Sequence, residues 1–137
     1  MRTVGVAGHQ IQAWVQVDFT NLEHVRQAIY LFGHLSIGVN LPDLAMNQFG
    51  QGLPWDVTGE DDGGIDGGHD VPIFGYGSQG FTCVTWGRLQ QMGIPWFQKY
   101  VEEAYAAVSI DWLASSGLAP NRLDIDALVA DLADLKA

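Results

Sequence analysis

Basic residues are scarce in this sequence. Six lysines and arginines stand against sixteen aspartates and glutamates in 137 residues, which gives a formal net charge of −10. A chain of this charge repels the phosphates of nucleic acids and the anionic headgroups of membranes. We therefore expect no nucleic acid and no membrane among the partners of this protein.

Long apolar runs and cysteines are also lacking. No stretch of about 18 apolar residues could cross a bilayer, and the first residues, MRTVGVAGHQIQAWVQV, lack the uninterrupted apolar core of a signal peptide. A single cysteine, Cys83, excludes an intrachain disulfide and a cysteine-based zinc site. These absences predict a protein of a reducing compartment such as the cytoplasm.

What is present is enough apolar material for a core. The sequence is 47% apolar and 11% aromatic, which predicts a folded chain rather than a disordered one. Apolar and polar residues alternate over residues 11–17, the period of a half-buried strand, and HLSIGVNL at residues 34–41 predicts a second strand.

Two helices are predicted around these strands. Thr20 begins a capping box, and apolar residues at helical spacing predict a helix over residues 21–32 that ends at Gly33. Pro42 is predicted to begin a short second helix, which Gly50 closes.

Residues 51–70 are predicted to form an irregular, solvated loop because acidic residues and glycines dominate them. Oxygen ligands at such spacing suit Ca²⁺, and Asp62 and Asp66 are the central candidates. The full candidate set is Asp61, Asp62, Asp66, His69 and Asp70. Since the spacing matches no EF-hand, our prediction is a solvated loop without a metal.

Gly75, Gly77 and Gly80 match the dinucleotide fingerprint G-x-G-x-x-G. That fingerprint works only where the third glycine opens a helix, whose N-terminus holds the phosphate. Here the third glycine is followed by FTCVTW, which is rich in β-branched and aromatic residues. We therefore predict a hairpin over residues 70–86 and no cofactor.

The last third of the chain is predicted to be helical. Pro95 begins a helix on which Trp96, Tyr100 and Ala104 share one stripe, and this aromatic face is predicted to be core. After a linker at residues 115–122, Asp124 caps an amphipathic helix over residues 124–136.

Strands and helices are mixed without regular alternation and no repeat is visible, so the sequence predicts one α+β domain over residues 1–137. Residues 1–10 carry no strong structural signal and are interpreted as a disordered or partner-bound arm.

The stretch GGHDVPIFGYG, followed by a strand and then TWG, resembles the C-terminal half of papain-like cysteine peptidases. In that family Gly-His-Ala precedes an apolar strand and a Gly-Tyr-Gly turn, and the returning strand ends in an Asn-Ser-Trp-Gly box. AIYLFGHLSIGVNLP is similar to the helix and strand before the catalytic histidine. The likeness is greatest to a divergent actinobacterial and phage group in which YLFG, PWDV, VTWG and QQM also occur. It covers about residues 11–90 and implies an antiparallel sheet with flanking helices.

The resemblance places His69 on the catalytic histidine and Trp86 in the box, but other family positions differ. The family's nucleophile precedes the histidine in a pattern such as Gly-x-Cys, and no cysteine precedes His69 here. The orienting asparagine is replaced by Val84, which cannot bind an imidazole. Cys83 lies in a predicted strand without a helix N-terminus to activate it, and is interpreted as a buried apolar residue rather than a nucleophile.

His69 is thus interpreted as an inherited residue with local hydrogen bonds, with a general base or a metal ligand as alternatives. Gly68, Trp55 and Trp86 would lie near the remains of a substrate groove, although such aromatics also suit a core.

Two functions remain open on these residues. The first is a non-catalytic papain-like module that binds a protein partner or forms a homo-oligomer. Since the resembling group includes phage proteins, one form of this role is a capsid decoration or accessory protein, which would make the protein virion-associated. The second is the C-terminal portion of a cysteine peptidase whose nucleophile lies on a missing segment, with His69 as its general base.

Overall fold

Six strands and three helices make up the described part of the chain. The structure, a computed structural model, describes residues 8–59 and 61–109, and beyond them only the single residues 124, 127 and 130. The strands are Ile11–Gln16 (β1), Leu35–Pro42 (β2), Ile65–Tyr76 (β3), Gly80–Thr85 (β4), Arg88–Gly93 (β5) and Val101–Ser109 (β6). The helices are Leu22–Phe32 (α1), Asp43–Gln51 (α2) and Ile94–Tyr100 (α3).

The strands form one sheet in the order β1-β6-β2-β3-β4-β5, and every neighbouring pair is antiparallel. An antiparallel sheet combined with three helices confirms the predicted α+β class. None of the described helices has the length and apolar character needed to cross a bilayer.

One face of the sheet is covered by the helices and the other is open. Along β2, Leu35, Ile37, Val39 and Leu41 are all buried, because side chains two residues apart point to the same face. The helices pack on this covered face with the buried side chains of Val25, Ala28, Ile29, Ala45, Trp96, Phe97 and Tyr100. The opposite, open face exposes Trp14, Val84 and Leu89.

The first predicted helix is confirmed with a shifted cap. The Asn21 side chain, rather than that of Thr20, accepts hydrogen bonds from the backbone N–H groups of Glu23 at 3.0 Å and His24 at 3.4 Å. Thr20 instead donates to the Asp18 carboxylate. The helix ends at Gly33, which has a φ of 77°.

The second helix and the hairpin also follow the prediction. Helix α2 continues past Gly50 to Gln51, and Gly52 ends it with a φ of 72°. Strands β3 and β4 form the hairpin, whose turn is closed by a hydrogen bond of 2.8 Å from Gly77 N to Gly80 O. Because Gly80 begins a strand, the G-x-G-x-x-G match lacks the helix that a phosphate site requires.

Two parts of the prediction are wrong. Residues 65–69, predicted as loop, begin β3, because Gly67 and Gly68 extend the ladder opposite Leu41 and Asn40. The helix predicted from Pro95 ends at Tyr100, and the chain continues as β6.

Strand β6 owes its conformation to the sheet. It lies between β1 and β2, where both of its edges are hydrogen-bonded. The small or β-branched residues Val101, Ala104, Ala106 and Val108 bury their side chains on the covered face. Pairing on both sides therefore overrides a local sequence that suits a helix. Strand β5, a further strand that the sequence reading did not predict, completes the sheet beside β4.

Several predicted segments lie outside the described residues: residues 1–7 of the predicted arm, the linker at residues 115–122, and all but three residues of the helix at 124–136. Of the described positions there, Asp124 Oδ1 accepts a hydrogen bond of 3.0 Å from the backbone N–H of Ala127, as expected of the predicted cap.

Candidate functional site

His69 is held by a hydrogen bond between two strands. It lies on β3 opposite Val39, with its side chain half-buried at the rim of the core. Its Nε2 lies 2.8 Å from Oγ1 of Thr85, the last residue of β4. The Thr85 side chain points to the same face as Cys83, two residues earlier, and is buried. The position that the family resemblance assigns to an orienting asparagine, Val84, points to the open face, and the neighbouring Thr85 holds the imidazole instead.

Trp86 covers one face of the imidazole. The two ring planes are within 10° of parallel and their centroids are 4.8 Å apart. Trp86 has a φ of 44°, and it is the only residue other than glycine with a positive φ in the described ranges. With Gly87, at a φ of 76°, it forms a two-residue turn between β4 and β5 of the kind usually built from Asn and Gly. A bulky residue in this conformation is strained, and such strain is found most often at functional sites.

Two aromatic side chains pack edge-on against the Trp86 ring. Phe49 of α2 meets the indole edge-on at 4.6 Å, and Trp55 does so at 6.1 Å. Arg88 lies over the Phe49 ring at 3.9 Å and donates a hydrogen bond of 2.8 Å to the Phe49 carbonyl oxygen. The stack therefore begins at His69 and runs through Trp86 and Phe49 to Arg88.

Of the predicted groove residues, the structure brings Trp86 to the His69 imidazole, places Gly68 on the opposite face of β3, and places Trp55 in the core. Trp55 is fully buried, stacks on Trp96 at 4.7 Å, and donates from Nε1 to the Ala45 carbonyl at 2.9 Å. Trp55 packs against Trp86, and because it is fully buried it cannot line an open groove. Gly68 lines a groove on the open face, across the sheet from the His69 imidazole, and a Cβ built on it would meet no atom within 4 Å.

A separate groove of about 350 Å³ with an acidic lining lies on the open face of the sheet, whereas the His69 imidazole points to the covered face. Its carboxylates belong to Asp70, Glu102 and Glu103. Each accepts one hydrogen bond: Asp70 from Ser36 Oγ at 2.7 Å, Glu102 from Asn40 Nδ2 at 2.9 Å, and Glu103 from the Tyr105 hydroxyl at 3.2 Å. The hydrogen bond from Tyr105 to Glu103 also raises the pKa of the Tyr105 phenol.

Cys83 is sealed in the core two residues before Thr85. Its side chain has no exposed surface, and burial raises the pKa of the thiol to about 12. A thiolate is the reactive form of cysteine, so a thiol in this environment is inert near neutral pH. No nucleophilic thiol therefore accompanies His69 within the 137 residues.

The described residues of the acidic loop do not gather into a set of metal ligands. Asp62 pairs with the Lys99 ammonium group, and this hydrogen bond holds the pKa of the Asp62 carboxyl below its usual range and raises the pKa of Lys99. The Asp61 carboxylate accepts from the backbone N–H of Gly63 at 3.1 Å, and Asp66 is exposed on β3. Within residues 8–59 and 61–109, no three His, Cys, Asp or Glu side chains come together as metal ligands.

Sequence reasoning missed Thr85, Phe49 and Arg88 as parts of the site. A signal for Thr85 was present, because a strand residue next to Val84 and two from Cys83 must share the face of Cys83. Phe49 and Arg88 are brought to Trp86 by the packing of α2 against the turn after β4, and no spacing in the sequence reveals that packing.

No protein-family model, curated protein or solved structure matches this chain. Its function is therefore argued from the geometry of the site.

Proposed function

We propose that this chain is a non-catalytic papain-like module that binds a protein partner through the surface around His69. The proposal rests on one contrast: His69 is accessible, whereas Cys83, the only cysteine, is not. The imidazole is held in place and half-exposed, whereas the only thiol is buried with a pKa of about 12. A papain-type reaction needs that thiol as a thiolate beside the imidazole.

The order of elements supports the relationship to the papain-like fold. Helix α1 leads into β2, β2 pairs with the strand that carries His69, and the returning strand ends at Trp86-Gly87. These are the elements that the resemblance assigns to the region around the family's catalytic histidine.

The surface around His69 has properties of a contact site. Trp86 is 44% exposed and His69 is half-buried, so part of a large apolar ring and part of a histidine held by Thr85 face solvent. Exposed aromatic side chains in fixed positions commonly anchor protein partners. An assembly role, such as decoration of a phage capsid, is one form that this binding would take.

The test begins with the particle that contains the chain in its native source. Native mass spectrometry identifies what travels with it, and binding of the identified partner is then compared among the wild type, His69→Ala, Trp86→Ala and His24→Ala variants. His24 lies exposed on α1, away from the Thr85–Trp86 contacts, and serves as the matched control.

We expect His69→Ala and Trp86→Ala to weaken binding at least about tenfold, a loss of about 1.4 kcal/mol. The His24→Ala variant should bind as the wild type does. Thermal unfolding of each variant shows that it remains folded. If the His69→Ala and Trp86→Ala variants stay folded and bind like the wild type, the surface around His69 is not the contact and the proposal fails.

A second candidate, the histidine-bearing part of a cysteine peptidase, is favoured by the strained Trp86 ring on the imidazole, because shielding a catalytic pair would justify that strain. It predicts that the copurifying partner carries a reactive cysteine and that the complex hydrolyses peptides. The hydrolysis would be lost in His69→Ala and after alkylation of the partner. Hydrolysis with these dependences would replace the binding proposal by this one.

A further inference from the structure

We infer that a second copy of this chain docks on the outer edge of strand β1, by antiparallel pairing of the two β1 strands across a two-fold axis. The inference goes beyond the proposed function, because it concerns one edge of the sheet and not the surface around His69. Strands β6 and β2 separate β1 from β3, which carries His69.

The backbone of β1 presents unpaired hydrogen-bonding groups along its outer edge. The N–H of Val17 donates to the Ala104 carbonyl of β6 at 2.9 Å. Because the backbone groups of successive residues in an antiparallel strand point to opposite sides, Val15 also faces β6, whereas the N–H and C=O groups of Trp14 and Gln16 point away from it. No other strand or loop of the described residues pairs with these groups.

The opposite edge of the sheet is covered. There the N–H of Trp55 donates to the Gln91 carbonyl of β5 at 2.9 Å, and the N–H of Gly93 donates to the Trp55 carbonyl at 2.9 Å. The buried side-chain amide of Gln90 donates to the Leu53 carbonyl, also at 2.9 Å. Proteins cover or block their edge strands because unpaired backbone groups invite a further strand. Among the described residues, this chain covers β5 with its own backbone and leaves β1 unpaired.

Few of the features that block pairing at an edge are found in β1. Residues 11–17, IQAWVQV, contain no charged side chain and no proline. A bulge shifts the register between Ile11 and Ala13, and from Ala13 onward the strand is regular. An apolar side chain is exposed on each face of the strand, Trp14 at 52% and Val15 at 38%. A further strand would cover part of both.

The charge of the chain favours a second copy as the occupant. Two copies with a net charge of −10 repel each other, so an interface between them is favoured where charge is absent, as it is on β1. In an antiparallel pair centred on Trp14, Asp18 falls opposite Gln10 of the other copy. A pair centred on Val15 places Asp18 opposite Gln12, so in neither register does a carboxylate face another. Two-fold symmetry then pairs the open groups of both strands at once.

Self-association is measured by sedimentation equilibrium of the full chain, from micromolar to millimolar concentrations. We expect the mass to rise from the 14.9 kDa of one chain toward twice that value. The interface is small, so high concentrations are needed to populate the dimer. About 0.5 M sodium chloride should strengthen the dimer, because salt screens the repulsion between two acidic chains.

The variant that tests the edge is Gln16→Pro. It removes one outward N–H group and leaves the hydrogen bonds between β1 and β6 in place. By symmetry the interface loses this group on both strands, so we expect the Kd of the dimer to rise at least about tenfold. Trp14→Glu, which brings two carboxylates together at the centre of the pair, should also weaken the dimer.

The matched control is Gln91→Pro, the same substitution in the other edge strand. The N–H of Gln91 points away from β4, because Gly93, two residues later, donates in that direction to Trp55. This variant should leave the Kd of the dimer unchanged. Thermal unfolding shows that each variant remains folded.

Amide hydrogen exchange of the wild type locates the contact. The amides of Trp14 and Gln16 should become more protected as the concentration rises. Protection that is independent of concentration would place another segment of the chain on this edge, and protection seen only with a copurified protein would place that protein there. Either result would overturn the inference.

A chain that stays monomeric throughout would also overturn it, as would a dimer whose Kd is unchanged in folded Gln16→Pro and Trp14→Glu proteins. None of these results bears on partner binding at His69. Conversely, His69→Ala and Trp86→Ala should leave the Kd of the dimer unchanged, so the two proposals fail separately.

Discussion

Neighbouring residues of one strand differ sharply in burial, because one lies on the covered face of the sheet and the next on the open face. On β4, Cys83 is sealed against the helices, and Val84 on the other face is 36% exposed. Thr85 returns to the covered face at the strand's end, where it meets the half-exposed His69. The difference shows that reactivity in this protein depends on position across and along a strand. The same residue type would be inert at one position and accessible at the next.

The largest expected difference between the two faces is in the rate at which a cysteine thiol is alkylated. With a pKa of about 12, the Cys83 thiol at pH 8 holds about a thousandfold less thiolate than an unperturbed cysteine. We expect alkylation by iodoacetamide, followed by mass spectrometry, to be slower by at least that factor in the native protein than in denaturant.

A cysteine at the adjacent position provides the matched control. In a Cys83→Ala background, Val84→Cys places the thiol one residue along β4 on the open face, and it should alkylate at a rate near that of a model thiol. Equal rates for the two positions would show that the faces do not differ as described.

The next contrast is in stability and compares two tryptophans. Trp96 is 1% exposed and stacks on Trp55, whereas Trp14 on the open face is 52% exposed. Trp96→Ala should lower the free energy of unfolding by about 3–5 kcal/mol, measured by urea denaturation. Trp14→Ala should cost less than about 1 kcal/mol because about half of this residue already lies in water.

Trp96→Phe sharpens this comparison. Trp96 Nε1 is buried and has no hydrogen-bond partner among the residues that the structure describes, so the phenylalanine ring removes an unmade hydrogen bond together with some volume. We expect its cost to be well below that of Trp96→Ala. A Trp14→Ala protein as unstable as Trp96→Ala would contradict the assignment of covered and open faces.

The smallest contrast compares two glycines. A Cβ on Gly80, at the start of β4, would lie 2.0 Å from the backbone oxygen of Met92, whereas a Cβ on Gly38 would meet only the Glu103 side chain, at 2.7 Å. Backbone cannot move without breaking the ladder, but a glutamate side chain can rotate away. Gly80→Ala should therefore cost about 3 kcal/mol.

Gly38→Ala is the matched variant and should cost less than about 1 kcal/mol in the same urea experiment. If it were as destabilising as Gly80→Ala, the Glu103 side chain would be fixed in place rather than free to rotate away.

Much of the fold followed from local patterns. Helix α1 and strand β2 were predictable because their apolar residues recur at the period of each element and the ends carry a cap and a glycine. The hairpin was predictable from its glycines and β-branched residues. Strand β6 was not, because Glu102, Glu103 and the alanines suit a helix, and only the neighbouring strands β1 and β2 make an extended chain more favourable there.

The candidate site was predictable in its residue types and not in its contacts. His69 and Trp86 were identifiable from their motifs, and Trp55 was expected near them but belongs to the core behind them. The face of Thr85 followed from its spacing to Cys83, but its contact with His69 did not, because that contact depends on how β3 and β4 are aligned. That alignment brings its hydroxyl to Nε2.

The sequence by itself determined the elements with strong periods, the acidic charge, and the presence of His69, Cys83 and Trp86 in a short stretch. These features depend on residue type and spacing, which act locally. Only the tertiary structure decided that the thiol is sealed, that Thr85 holds the imidazole, and that Trp86 lies strained upon it. Those outcomes depend on strand register and helix packing, which join residues far apart in the chain, and they set the burial, hydrogen bonds and charge on which chemistry depends.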